Sequence, residues 1–286
     1  MRHFDHPSLT GLPRRALGNT GMATSILGLG TVKLGRDQGV KYPAGFTIPD
    51  DRAARLLLDR ARELGINLID TAPAYGTSEQ RLGPLLKGQR QHWLICSKVG
   101  EEFVDGHSHF DFSPAHTRFS VERSLQRLGT DHIDIVLVHS DGNDEDIILN
   151  RGTLETLATL KQEGKLRAFG ISTKTVAGGL LAAERCDCVM VTWNLTHRQE
   201  VPVIDRCQTL GKGVLIKKAL ASGHLMTAGE NSGKSSHESA AKARGDPVGE
   251  GLAMIFAHPG VSSAIVGTIN PHHLAANVAA ALAATR

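Results

Sequence analysis

The length and composition of the chain are those of one globular α/β domain. It has 286 residues and a formal net charge of +3, from 32 basic and 29 acidic residues. So small an imbalance argues against the strong field of a nucleic-acid-binding protein, and no apolar run approaches the roughly 18 residues of a membrane-spanning helix. The first twenty residues are charged and lack the apolar centre of a secretory signal, so we expect a cytoplasmic protein.

The four cysteines are few for a chain of this length. Cys186 and Cys188 are separated by one residue, which is not the spacing of a metal site, and a second Cys/His pair at suitable spacing is missing. We therefore predict reduced, structural thiols and no bound metal.

Strand and helix patterns alternate along almost the whole chain. A Gly-Asn-Thr-Gly turn at 18–21, between two short β-prone segments, predicts a small hairpin that would plug one end of a barrel. Eight strand–helix units then follow without an internal linker. This count predicts a single (β/α)8 TIM barrel over residues 1–286 with a short N-terminal β-hairpin, rather than an open doubly wound sheet.

The predicted elements follow the chain in a regular order. The eight strands are expected at 25–30, 66–70, 93–98, 133–139, 167–171, 189–193, 213–217 and 263–266. Asp50 and Ser113 are predicted N-caps, and Pro114 suits the first position of a helix. We expect long loops at 99–113 and at 219–250, the latter mobile and running into the seventh helix.

Four polar residues stand at, or just beyond, the ends of three successive predicted strands. They are Asp70, Tyr75, Lys98 and His139. In a closed parallel barrel the strand C-termini open onto the one face that holds the active site. Each residue alone also has a structural explanation, such as a cap, a packed aromatic ring or a solvated charge. Together, an acid, a phenol, an amine and an imidazole suit proton transfer coupled to hydride transfer on a carbonyl.

These residues and their neighbours resemble the aldo-keto reductase superfamily. The resemblance rests on Leu-Gly-Thr at 29–31, Asp-Thr-Ala-Pro-Ala-Tyr-Gly at 70–76, Ser-Lys at 97–98 and Leu-Val-His at 137–139. It implies a (β/α)8 barrel that binds a nicotinamide dinucleotide without a Rossmann fold, with Gly30 and Thr31 among the cofactor contacts. Accordingly, Gly28 and Gly30 lack the third glycine of the Rossmann fingerprint.

Within this resemblance Tyr75 is the general acid/base. A free phenol, with a pKa of about 10, is a poor acid at neutral pH. The Lys98 ammonium beside it would favour the phenolate and lower that pKa, and Asp70 would hold Lys98 by a charge-assisted hydrogen bond. His139 would donate a hydrogen bond to the substrate oxygen. The same groups work in reverse for alcohol oxidation.

Two segments resemble those that hold the nicotinamide in this family. Gly-Ile-Ser-Thr at 170–173 is similar to Gly-x-Ser-Asn, so Ser172 carries over while Thr173 replaces an amide. Met-Val-Thr-Trp-Asn at 190–194 is similar to Gln-x-x-Tyr-Asn, so Met190 replaces the glutamine. Trp193 is placed like the ring that stacks on nicotinamide, with a core aromatic as the alternative.

Two later segments resemble those that hold the phosphates and adenosine. The segment 217–225 is similar to the loop over the pyrophosphate, and Lys217 or Lys218 could meet a phosphate or be solvated. The segment 266–274 opens a helix, whose N-terminus favours anions. The contacts implied by the two segments are Lys217, Leu220, Ser222, Gly223, Gly267, Thr268, His273 and Asn277.

The preference between the two nicotinamide cofactors depends on residues 269 and 273. Family members specific for the 2′-phosphate often carry Lys and Arg in this segment, where this chain has Ile269 and His273. His273 can still donate to a phosphate, more weakly and with a pH dependence near neutrality. We expect NADP(H) as the cofactor, with NAD(H) as the competitor.

The sequence thus predicts an NAD(P)-dependent reductase of a small-molecule aldehyde or ketone. We expect no nucleic-acid or membrane partner, and a monomer or small homo-oligomer. The alternatives are an NAD-dependent sugar dehydrogenase working oxidatively, a nicotinamide-binding sensor with little turnover, and a phosphate-binding isomerase barrel. Substrate choice is expected to lie in loops, where Phe103, Phe110 and Phe112 either line a pocket or anchor their loop.

Overall fold

The computed structural model describes residues 11–40, 42, 45–221 and 246–286. Its strands are β1 Arg14–Ala16, β2 Ala23–Ser25, β3 Leu27–Gly30, β4 Leu68–Asp70, β5 Leu94–Val99, β6 Glu101–Val104, β7 His107–Phe110, β8 Ile133–His139, β9 Leu166–Ser172, β10 Cys188–Thr192, β11 Gly213–Lys217 and β12 Ser263–Val266. The helices in this part are α1 Asp51–Glu63, α2 Ser78–Leu85, α3 Pro114–Leu128, α4 Asp144–Asn150, α5 Thr153–Gln162, α6 Val176–Arg185, α7 Val201–Thr209, α8 Pro247–Ala257 and α9 Pro271–Ala283.

Eight parallel strands close into a barrel with helices between them. Their order around the barrel is β3, β4, β5, β8, β9, β10, β11 and β12, and β12 pairs with β3 to complete the ring. The predicted (β/α)8 fold is therefore confirmed. The bounds predicted for β8, β11 and β12 are those observed, while the second predicted strand begins two residues later, at Leu68.

The apolar side chains form two layers, one inside the barrel and one outside it. The interior cluster contains Leu17, Met22, Leu68, Cys96, Ile135, Leu137, Ala168, Cys188, Met190 and Leu215. The outer core fills the space between the strands and the helices, and it takes the alternate strand residues, such as Val136 and Val138 of β8. All four cysteines are buried and unpaired, as predicted.

The N-terminal hairpin closes the lower end of the barrel. β1 and β2 pair antiparallel, and Leu17 and Met22 from their connection join the interior cluster. The Arg15 guanidinium donates to the carbonyl oxygens of Phe256, His258 and Val261 at 2.6 to 3.0 Å, which ties the hairpin to the end of α8. The predicted plug is confirmed.

Two helices begin at the residues that the sequence indicated. The Asp50 side chain accepts a hydrogen bond from Ala53 N at 2.7 Å at the start of α1. Ser113 accepts from His116 N at 3.2 Å, and Pro114 is the first residue of α3. Both side chains satisfy backbone donors that the first helical turn leaves free.

Two loops contain structure that the sequence analysis missed. Residues 99–113 hold the hairpin of β6 and β7, whose tip residues Asp105 and Gly106 both have positive φ. Asp-Gly is a strong signal for such a two-residue turn. Further along, α4 begins at Asp144 with three acidic residues in its first turn, which suits the positive end of a helix dipole.

Within the described ranges, none of the helices has both the length and the apolar composition needed to cross a bilayer.

Candidate active site

The C-terminal mouth of the barrel collects one inward-facing residue from nearly every strand. Successive residues of a strand face opposite sides of the sheet. Every second residue beyond the interior cluster therefore also faces into the barrel. This places seven residues around the mouth: Gly30, Asp70, Lys98, His139, Ser172, Thr192 and Lys217. All four predicted catalytic residues lie here, with Tyr75 in the loop after β4.

The centre of the site is a buried ion pair between β4 and β5. Lys98 Nζ lies 2.6 Å from Asp70 Oδ1 and also donates to Thr71 O at 2.9 Å. Both side chains are buried. Burial lowers the pKa of Lys98, but Asp70 and Tyr75 outweigh it, so the net pKa is raised and the ammonium persists at neutral pH.

Tyr75 contacts both members of this pair. Its hydroxyl donates to Asp70 Oδ2 at a long 3.5 Å, and Lys98 Nζ lies 4.8 Å from the centre of its ring. Burial raises the pKa of Tyr75, and Lys98 offsets only part of that rise because Asp70 raises it too. The expectation of a lowered pKa is therefore wrong for this state, and the phenol keeps its proton at neutral pH.

His139 faces Tyr75 across the mouth, and the carboxylate of Glu101 lies against the other side of its ring. The two rings stand edge to face with centroids 6.3 Å apart. Glu101 Oε2, at the start of β6, lies 2.6 Å from His139 Nδ1, off the line of a well-formed hydrogen bond. Burial lowers the pKa of His139, and Lys98 and Lys217 lower it further, against the opposing effect of Glu101.

Glu101 is a site residue that the sequence analysis missed. Its carboxylate accepts a hydrogen bond from the Ser108 hydroxyl at 2.6 Å, within the β6–β7 hairpin. Burial opposes its ionisation, but His139, Ser108 and Arg36 outweigh burial and lower the pKa of Glu101 to about 2. The only signal was its position three residues beyond Lys98.

We expect Glu101→Gln to lower the pKa of His139 further, because the carboxylate is the group that raises it. NMR titration of the His139 ring, assigned with a His139→Asn variant, measures this shift. Glu102→Gln is the matched control, since Glu102 contacts Arg123 and His116 instead. An unchanged His139 pKa in Glu101→Gln would contradict the expectation.

The opposite wall of the mouth carries a second lysine. Lys217 Nζ donates to Ser172 Oγ at 2.8 Å and to Thr173 O at 2.6 Å, and the buried Thr173 hydroxyl has no hydrogen-bond partner among the described residues. The solvated alternative therefore fits Lys218, which is exposed, and not Lys217. Ser172, Thr173 and Lys217 together offer polar groups on this wall.

Trp193 and Met190 do not line the mouth. Met190 belongs to the interior cluster below it, so Trp193, three residues later, faces the other way. The Trp193 ring is buried in the outer core, edge-on to His258 with centroids 5.7 Å apart. The predicted stacking on nicotinamide is not supported, and the alternative of a core aromatic fits the structure.

Several other predicted contacts lie at the C-terminal ends of β3 and β12 and in the first turns of α9. Thr31 is buried and donates to Asp70 O at 2.9 Å, so its hydroxyl supports β4 instead of facing the mouth. At the start of α9 the Asn270 side chain accepts from His272 N, with His273 exposed in the same turn and Asn277 buried one turn later. Thr268 accepts from Asn270 N.

Of the five other predicted contacts, three lie in the described part of the chain. Gly30 ends β3 and Gly267 follows β12, and a Cβ on Gly267 would come within 3.4 Å of the Tyr42 hydroxyl. Leu220 is partly buried against the outer core. Ser222 and Gly223, with most of the predicted mobile loop, fall outside the described residues.

Comparison with known proteins gives matches along nearly the whole chain. The model of the aldo/keto reductase family matches residues 26–285. A putative aldo-keto reductase from Pseudomonas aeruginosa has a solved structure that is 57% identical, with a TM-score of 0.83 over 96% of this chain and 95% of that one. The uncharacterized oxidoreductase YqkF of Bacillus subtilis is 30% identical, over 94% of this chain and 90% of its own length. The L-galactose dehydrogenase of Arabidopsis thaliana is 37% identical over 57% of this chain and 49% of its own length.

Proposed function

This chain belongs to the aldo/keto reductase family of oxidoreductases, and on that premise we propose that it reduces an aldehyde or ketone with a reduced nicotinamide dinucleotide. The observation that carries the proposal is the cluster of Asp70, Lys98, Tyr75 and His139 at the mouth of the barrel, with its 2.6 Å ion pair. Tyr75 is the general acid in this proposal, and the substrate is a small carbonyl compound.

The four residues divide the work of protonating a carbonyl oxygen. The carbonyl oxygen binds where the Tyr75 hydroxyl and a ring nitrogen of His139 can both reach it, since the two rings stand edge to face with centroids 6.3 Å apart. Tyr75 gives its proton to the oxygen, and the Lys98 ammonium stabilises the phenolate that is left. Asp70 keeps Lys98 in place. The cofactor, when bound, supplies the hydride.

The residues on the opposite wall fit a nicotinamide dinucleotide. Ser172 Oγ, Lys217 Nζ and the Thr173 carbonyl oxygen meet on this wall, and a carboxamide needs both donors and acceptors. Gly30 and Gly267 lie side by side, since a Cβ on Gly30 would come within 3.6 Å of Gly267 Cα, and α9 begins four residues after Gly267. That helix end suits a phosphate group.

NADP(H) is the proposed cofactor, and His273 is the residue that tests it. We expect His273→Arg to tighten NADPH more than NADH, because a permanent guanidinium binds the 2′-phosphate better than an imidazole does. Isothermal titration with each cofactor measures the two changes. His272→Arg, a change at the neighbouring exposed position, is the matched control. Equal tightening of both cofactors would show that His273 does not face the 2′-phosphate.

A second candidate is an NAD-dependent sugar dehydrogenase. One relative of this chain is named as an L-galactose dehydrogenase, and Ile269 and His273 replace the basic residues associated with the 2′-phosphate. The cluster of Asp70, Lys98, Tyr75 and His139 serves alcohol oxidation equally well, with Tyr75 acting as the base.

A parallel titration of the protein with NADPH and NADH separates the two candidates. Tight NADPH with weak NADH supports the reductase and directs a screen of aldehydes and ketones. Comparable or tighter NADH favours the dehydrogenase and a screen of aldoses with NAD. Because Trp193 lies in the outer core, the fluorescence of the reduced cofactor is the better signal. Binding of neither cofactor would overturn both candidates.

A further inference from the structure

The two walls of the barrel mouth differ in how they hold their lysines. Lys98 Nζ pairs with the Asp70 carboxylate at 2.6 Å and donates to a carbonyl at 2.9 Å. Lys217 Nζ has the same arrangement of contacts with neutral oxygens only, Ser172 Oγ and Thr173 O. Within the described ranges no carboxylate oxygen lies at ion-pair distance from Lys217 Nζ. Lys98 is thus in direct contact with its counter-charge, whereas the carboxylates of Glu200 and Asp144 act on Lys217 from beyond ion-pair distance.

The position of Lys217 follows from the catalytic geometry, and this step rests on the proposed function. Tyr75 and His139 bracket the substrate oxygen from the side of β4 and β8. A nicotinamide ring that reaches the adjacent carbon must lie against the other wall, formed by β9, β10 and β11. Ser172, Thr192 and Lys217 are the polar inward residues of that wall, and Lys217 Nζ donates to Ser172 Oγ at 2.8 Å.

We propose that Lys217 is a cofactor-facing residue whose ammonium, held by neutral oxygens among the described residues, makes the site bind the reduced nicotinamide more tightly than the oxidised one. The oxidised ring is a pyridinium cation, whereas the reduced ring is neutral. A fixed positive charge beside the ring therefore repels only the oxidised form, and the effect is stronger in a partly desolvated cleft than in water. The hydrogen bonds of Lys217 act on both forms alike.

The protonation of Lys217 supplies a control within the wild-type protein. Burial lowers the pKa of Lys217 to about 8, with Glu200 opposing that shift. The charges that also act on this group are the carboxylate of Asp144 and the ammonium groups of Lys174 and Lys218. Below this pKa the ammonium disfavours the pyridinium, and above it the neutral amine does not.

The first experiment compares dissociation constants in Lys217 variants. The cofactor pair is NADP⁺ and NADPH, or NAD⁺ and NADH if the wild type binds those more tightly. The third probe lacks the nicotinamide: it is ADP-ribose for the NAD pair, or ADP-ribose 2′-phosphate for the NADP pair. We expect Lys217→Gln to tighten the oxidised cofactor relative to the reduced one by on the order of tenfold, with binding of the ADP-ribose unchanged. Lys217→Arg, which keeps the charge, should keep the wild-type ratio. An unchanged ratio in Lys217→Gln overturns the inference.

The second experiment needs no variant and so does not depend on whether one folds. In the wild type, the dissociation constant of the oxidised cofactor divided by that of the reduced cofactor should fall as pH rises from about 7 to about 9.5. Lys217 loses its proton in this range and then no longer repels the pyridinium. His139, whose pKa is lowered, stays neutral throughout, and the raised pKa values of Lys98 and Tyr75 keep both protonated. A flat ratio with firm binding overturns the role of Lys217 alone. Absence of all nicotinamide binding overturns the proposed function as well.

Discussion

Replacing Tyr75 with Phe is expected to lower the turnover number by about 10²- to 10⁴-fold, the usual contribution of a general acid. Only the phenol hydroxyl is removed, since the ring keeps its place between Lys98 and His139. Affinity for the nicotinamide cofactor should stay nearly constant, because the cofactor contacts proposed for this chain lie on the other wall of the mouth. Steady-state kinetics with a carbonyl substrate and a separate cofactor titration measure the two quantities.

The chain supplies its own control for this variant. Tyr42 is the other of its two tyrosines, and it also lies near the mouth, where its hydroxyl faces Gly267. Tyr42→Phe removes the same atom and should keep most of the turnover. Substantial turnover in Tyr75→Phe would refute its assignment as the general acid, and an equal loss in Tyr42→Phe would point to a general disturbance of the mouth.

Replacing Lys98 with Met is expected to cost about 3–5 kcal/mol in the free energy of unfolding, as does removal of one partner from a buried ion pair. The Asp70 carboxylate, buried and 2.6 Å from the lysine in the wild type, is left without its counter-charge. Turnover should fall as well, because nothing remains beside Tyr75 to stabilise its phenolate. Denaturant unfolding and kinetics at the same pH measure the two losses.

The double variant Asp70→Asn with Lys98→Met separates stability from chemistry. In the double variant no charge is left buried without its partner, and that unpaired charge is the main cost of removing one member of a buried pair. The double variant should therefore regain most of the lost unfolding free energy while turnover stays low. Recovery of turnover together with stability would show that the ion pair only maintains the fold.

Several parts of the fold could be predicted because they depend on local sequence. Short apolar segments and helical patterns separated by turns predicted eight strand–helix units, and short polar side chains placed the caps at Asp50 and Ser113. The grouping of Asp70, Tyr75, Lys98 and His139 could also be predicted, since the C-terminal ends of parallel strands must meet at one face of a closed barrel. The Asp-Gly turn at 105–106 was a local signal of the same kind, although the loop was predicted to be irregular.

The facing of side chains around β10 and β11 was decided by the tertiary structure. A strand buried on both sides is apolar throughout, so Met190 and Trp193 carry no alternation that marks the inner face. Closure of the barrel put Met190 inside and Trp193 outside. The same closure brought Lys217 of β11 onto Ser172 of β9, two strands away.

The electrostatics of the site also depended on the fold and not on the motif. Which ionisable groups share the mouth could be predicted from the sequence, because strand order and strand ends set their positions. How deeply each group is desolvated, and which residue from elsewhere in the chain lies beside that group, could not be predicted. Burial reversed the expected direction of the Tyr75 pKa, and the β6–β7 hairpin brought Glu101 to His139. Both effects depend on packing between segments that are remote in the chain, and a linear pattern of residues does not encode those distances.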